Sequence, residues 1–145
     1  MRQRLICIAL FCAAVPLGAQ TNRSYRARLA PVPIDVSMQA TVAGSGSITA
    51  TRSGNKLTLT GTFEGLRSPA TIAQLHKGPV TGVRGPSVGD LTVAKATSGA
   101  ITGTIDLTPA LQEDLDKGRL YVQLHSQGAA DGNLWGWLLA QENKR

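Results

Sequence analysis

A chain of 145 residues, 42% hydrophobic and 4% aromatic, can bury one modest aliphatic core and no more than one ordinary domain. Its formal charge of +6 sits at the ends, on Arg2, Arg4, Arg23, Arg26, Arg28, Lys144 and Arg145, while eight Lys/Arg face nine Asp/Glu between Leu29 and Asn143. That interior net of −1 lacks the grouped basic face a nucleic-acid binder requires, and nothing after the first 19 residues is apolar enough to span a bilayer.

The chain opens with Met1-Arg2-Gln3-Arg4, an apolar run from Leu5 to Val15, and Pro16-Leu17-Gly18-Ala19 before Gln20. A basic start, a short apolar stretch and a small-residue site are the marks of a secretory signal peptide, expected to be cleaved after Ala19. The run is well short of the roughly 20 residues a spanning helix needs. Both cysteines, Cys7 and Cys12, fall inside it, so the mature chain has no disulfide, thiolate ligand or cysteine nucleophile. Export to the periplasm or beyond is the expectation, with stability coming from the core alone.

Residues 20–28 are polar and basic and read as a flexible lead. Leu29 to Ile34 carries Pro31 and Pro33 and reads as an extended edge segment, because proline cannot donate to a central ladder. Val36 to Val42 is expected to continue as a strand, and Ser47 to Arg52 to form the next. Ser53-Gly54-Asn55 is a hairpin turn, after which Leu57, Leu59 and Gly61 alternate with Thr58, Thr60 and Thr62, the pattern of a half-buried strand. Thr71 to His76 is a strand, and Lys77 to Gly89, with four glycines and two prolines, a loop. Asp90 to Ala94 and Ala100 to Leu107 are strands. Thr108-Pro109 opens the one expected helix, with Thr as cap, Pro in the first turn, Leu111 and Leu115 on its inner face and Gly118 at its end. Arg119 to Ser126 is a strand, Gln127 to Gly132 a turn, and Asn133 to Ala140 the last strand. About eight short strands and one helix, without a strand–helix rhythm, predict an all-β antiparallel sandwich occupying residues 29–143.

The ordered set of segments resembles the chordin-type (CHRD) domain family over roughly residues 25–140. The residues that carry the likeness are Pro31-Val32-Pro33, then Ala73-Gln74-Leu75-His76-Lys77-Gly78, then Gly118 with Tyr121-Val122-Gln123-Leu124-His125-Ser126, and last Gly132-Asn133-Leu134-Trp135-Gly136. The resemblance implies an exported, immunoglobulin-like β-sandwich. The family includes many bacterial proteins of unknown task and animal chordin, which binds bone morphogenetic proteins. It supplies no catalytic residues. In the family pattern a His stands at Gln74, an Asn at Gln123, and a Glu and an Arg at Asn133 and Trp135, so the charged members of that stripe are gone here while His76 and His125 stay.

Residues two apart on a strand share a face. Gln74 and His76, Tyr121, Gln123 and His125, and Asn133, Trp135 and Trp137 therefore form one outer stripe if their strands are neighbours. This is the candidate binding face, for a protein or glycan of the cell envelope. Imidazole is a common copper or zinc ligand, which makes His76 and His125 an alternative metal pair, but two His without Cys or carboxylate fall short of three or four protein ligands. The competing structural reading has each His bonding local backbone or Gln side chains. Ser126 points away from His125, no carboxylates are paired, and the Gly/Pro loop is not a phosphate cradle, so neither an enzyme nor a cofactor is expected. Trp135 and Trp137 are either an exposed aromatic shelf or buried core.

Overall fold

The computed structural model describes residues 21–142. The expected signal peptide, 1–19, lies outside them. Among the described residues there are nine strands: β1 (Arg23–Pro31), β2 (Ser45–Ser53), β3 (Lys56–Glu64), β4 (Ala70–Lys77), β5 (Ser87–Val93), β6 (Gly99–Asp106), β7 (Leu120–Ser126), β8 (Ala129–Trp137) and the two-residue β9 (Leu139–Ala140). One helix, α1 (Pro109–Asp116), falls between β6 and β7. It is capped by Thr108, whose hydroxyl accepts from Leu111 N–H at 3.2 Å, and it ends at Gly118, φ +69°.

All strand pairings are antiparallel, and the order β2-β3-β6-β5-β4-β7-β8-β1 closes on itself through β1–β2. The molecule is thus a closed eight-stranded barrel, which corrects the expected sandwich. The alternation of apolar and polar residues is the same in both architectures. What differs is the corners. β8 meets β1 at Ala30↔Trp135 and Pro31↔Leu134, and β5 meets β6 at Thr92↔Thr102 and Val93↔Ile101. Two residue pairs at each corner join walls that would otherwise be separate sheets.

The inward positions fill the barrel with Tyr25, Leu29, Ile48, Leu57, Leu59, Leu75, Ile101, Leu120, Val122, Leu124 and Leu134, all essentially without solvent exposure. Where a neighbouring strand comes too close for a side chain, glycine takes the inward position. A Cβ on Gly61 would lie 2.1 Å from the Ser47 carbonyl oxygen, and one on Gly103 2.5 Å from Leu91 Cδ2. Leu115 of α1 is buried in the same core. The helix is pinned to the barrel by two carboxylates: Asp114 meets Lys77 at 2.7 Å and Arg119 at 3.4 Å, and Asp116 accepts from the Tyr25 hydroxyl at 2.5 Å.

Three further expectations are corrected. Arg23 to Arg28, expected in a flexible lead, belong to β1, paired residue for residue with β2 from Arg23↔Arg52 to Leu29↔Gly46. The proline segment is not a sheet edge; Pro31 ends β1 at a barrel corner, where its missing N–H is tolerated. Val36 to Val42 is not a strand. Asp35 accepts from the N–H groups of Ser37 and Met38 at 2.9 and 3.1 Å and caps a short 3-10 turn, Val36–Met38. The aspartate satisfies locally the donors a strand would have offered to a neighbour.

Candidate functional site

β4, β7 and β8 are adjacent, and their register sets Gln74 beside Gln123, His76 beside Tyr121, Tyr121 beside Trp137 and Gln123 beside Trp135. The expected outer stripe therefore forms. Its depth is the surprise. Tyr121 is 1% exposed, Gln123 4%, His125 8% and His76 9%. Two chain segments cover it. The loop between β4 and β5 crosses the end that carries His76 and Tyr121. The segment from Val32 to Val42 packs, with Ala129, on Trp135.

The loop is held at Gly85. Its carbonyl accepts from the Tyr121 hydroxyl at 3.2 Å and lies 3.0 Å from His76 Nδ1, and its N–H donates to the same hydroxyl at 3.0 Å. Nδ1 facing a carbonyl must carry the proton, which fixes the His76 tautomer. His76 stacks on Tyr121, ring centroids 5.0 Å apart. Burial holds the His76 imidazole below its ordinary range, the Gly85 carbonyl opposes this, and the nearness of His125 and Arg84 adds to the lowering.

β8 carries an irregularity that accounts for the second histidine. Ser126 pairs with Ala129 but Leu124 pairs with Leu134, so residues 130–133 stand against His125 alone. The carbonyls freed by this bulge are taken by side chains of the stripe: Ala130 O lies 2.7 Å from His125 Nδ1, and Gln123 Nε2 donates to Asp131 O at 3.2 Å. With the proton on Nδ1, His125 Nε2 is free to accept from Gln123 Nε2 at 3.3 Å. Gly132, at φ +131°, completes the bulge.

Not every predicted member joins. Gln74 turns to β5 and donates to Asp90 at 2.8 Å. Asn133 is fully buried and donates to Ser126 Oγ at 2.8 Å, drawn off by the bulge rather than meeting His125. The aromatic members do converge. Trp137 lies 4.4 Å and Trp135 5.9 Å from Tyr121 between centroids, and the two indoles 5.8 Å apart, edge to face. Both tryptophans are half-buried, each keeping part of its surface in solvent. Arg84, which the sequence reading did not single out, sits with its guanidinium carbon 5.7 Å from the Trp135 ring centroid and donates to Asp131 O at 3.3 Å. Gly85, Arg84 and the bulge carbonyls had no signal in strand periodicity, because they come from a loop and a turn.

The histidine rings stand 6.4 Å apart between centroids. Among the described residues no group of three or more His, Cys, Asp or Glu is placed to hold a metal ion, so the copper or zinc alternative at His76 and His125 has no support. No described helix is long and apolar enough to cross a membrane.

The fold and site together define a small closed antiparallel barrel carrying an aromatic–histidine cluster on its outer wall. The chain matches the family model of the CHRD domain over residues 26–138, nearly the whole barrel, and so belongs to the CHRD domain family. No curated protein and no solved structure matches it.

Proposed function

We propose that this CHRD-domain protein is an exported, non-enzymatic binding or structural module of the cell envelope, contacting a protein or glycan through the outer face of β7 and β8. The observation that carries the reading is the pair Trp135 and Trp137. They stay half in solvent on a wall whose other members, Tyr121, Gln123 and His125, are buried and bonded. Indole surface held rigid by edge-to-face packing loses little entropy when it meets a partner. The commitment of both Nδ1 atoms to backbone carbonyls supports a structural role for the histidines over an acid–base one. Export is supported by the basic, apolar and small-residue pattern of Met1 to Ala19.

The test is co-sedimentation of the purified mature chain with washed envelope of the producing cells. Trp135→Ala, folded by circular dichroism, is expected to lower the bound fraction about tenfold, as loss of an interface aromatic does. Binding equal to wild type would remove this face from consideration. Protein recovered outside the cytoplasm is expected to begin at Gln20; a retained leader would refute cleavage after Ala19.

A further inference from the structure

We infer that the binding face extends from Trp135 and Trp137 onto β1 and β2, and that its ligand is an acidic polysaccharide whose carboxylates pair with Arg26 and Arg28. The inference rests on the binding-face reading above and names the ligand class.

β1 pairs with β8 at Ala30↔Trp135 and with β9 at Arg26↔Leu139, in one continuous register. That register places Arg28 opposite Trp137. Tyr25, Ala27 and Leu29 point into the barrel, so Arg26 and Arg28 point out, and both are exposed. On the other side of β1, Arg26 stands beside Thr49 and Arg28 beside Ser47, and these in turn beside Thr60 and Thr62 of β3. Across the wall the surface runs from indole to guanidinium to two columns of hydroxyls. Neighbouring strands are about 4.8 Å apart, and the two arginines about 7 Å apart along β1.

The charges on this wall are unevenly paired. Arg23 and Arg52 meet Asp116, and Lys56 meets Asp106. Arg26 and Arg28 make no ion pair among the described residues. A groove of about 490 Å³ is lined by Arg28, Ser47, Thr62 and Glu64 among others.

Each column suits one part of a uronic-acid polymer. Indole faces stack on the C–H side of a sugar ring. A guanidinium fork takes a carboxylate in two parallel hydrogen bonds. Serine and threonine hydroxyls exchange hydrogen bonds with sugar hydroxyls. An extended peptide is disfavoured because β1 has partners on both sides and offers no free ladder along this wall. A nucleic-acid binder would carry a larger grouped basic face, whereas this chain has eight Lys/Arg against nine Asp/Glu between Leu29 and Asn143.

The experiment measures binding of the purified mature chain to polygalacturonate, to neutral dextran, to single-stranded oligo-dT and to phosphatidylglycerol vesicles. The wild type is expected to bind polygalacturonate, more weakly at high salt, and not dextran. Arg26→Gln/Arg28→Gln should weaken that binding at least about tenfold with an unchanged melting temperature, since each lost guanidinium removes a charge-assisted contact. Arg67→Gln, an exposed arginine outside this wall, should bind as wild type. Undiminished binding by the double variant, equal binding to dextran, or tighter binding to oligo-dT or vesicles would overturn the inference. If polygalacturonate is not bound while envelope binding still depends on Trp135, the acidic-polysaccharide inference falls and the binding face stands. If neither is bound, both fall.

Discussion

The carbonyl oxygen of Gly85 lies 3.0 Å from Nδ1 of His76, nine residues earlier in the chain, and this contact ties the β4–β5 loop to the barrel wall. Gly85 has no room for a side chain there. A Cβ would stand 1.8 Å from the backbone oxygen of Lys77.

Gly85→Ala is therefore expected to push the loop off the wall, breaking its bonds to His76 and to the Tyr121 hydroxyl. The predicted cost is about 2–3 kcal/mol in denaturant unfolding, in the range of a backbone clash plus lost buried hydrogen bonds. Trp137 also packs at this loop, 2.7 Å from where a Cβ on Gly78 would lie, so the near-ultraviolet tryptophan signal should change as well. A variant as stable as wild type, with the same spectrum, would show that the loop tolerates displacement.

Acid should destabilise the fold through His76. Its imidazole is held below the ordinary value of about 6.5 by burial, so as pH falls through that value the unfolded chain takes up a proton that the folded chain refuses. Unfolding then binds protons, and stability drops from about pH 7 downward until the depressed native value is reached. The melting temperature of His76→Gln should fall less steeply than that of wild type between about pH 7 and pH 5. Parallel profiles would mean that other groups carry the dependence. Carboxylates act at lower pH: Asp114, held below its usual range chiefly by Lys77, loses its stabilising charge only as acid protonates it.

Tyr121 and Trp135 occupy one stripe but should respond differently to truncation. Tyr121 is 1% exposed, stacked on His76 and bonded to Gly85, so Tyr121→Ala is expected to cost about 3–5 kcal/mol, as for a core aromatic. Trp135→Ala, at a half-buried position over Val32 and Met38, should cost less than half as much and leave a folded barrel. Equal losses in urea titrations would place both rings in the core and remove the exposed shelf.

Much of this was legible in the chain. The inward faces of β3, β4, β7 and β8 follow from alternation alone, down to Gly61 on the side of Leu57 and Leu59. The helix follows from Thr108, Pro109 and Gly118, whose preferences are local. The stripe of His76, Tyr121 and Gln123 follows from period two once the strands are neighbours, whereas Gln74 turns to Asp90. Asn133 did not follow, because the bulge at residues 130–133 has no mark in hydrophobic period. Nor did the turn at Val36–Met38, where one aspartate side chain outweighs a strand-like pattern.

By itself the sequence determined which side of β3, β4 and β7 is apolar, where the β2–β3 hairpin and the helix fall, and which family the domain resembles, because these depend on neighbours a few residues apart. Only the tertiary structure decided that the sheet closes into a barrel, since closure rests on Ala30↔Trp135 and Pro31↔Leu134, which join strands near opposite ends of the domain. It also decided that the histidine stripe is covered: Gly85 and the Ala130 carbonyl reach His76 and His125 by folds of the chain that no local pattern encodes. The tryptophans stay half in solvent for the same reason. Their exposure is what the covering segments leave open.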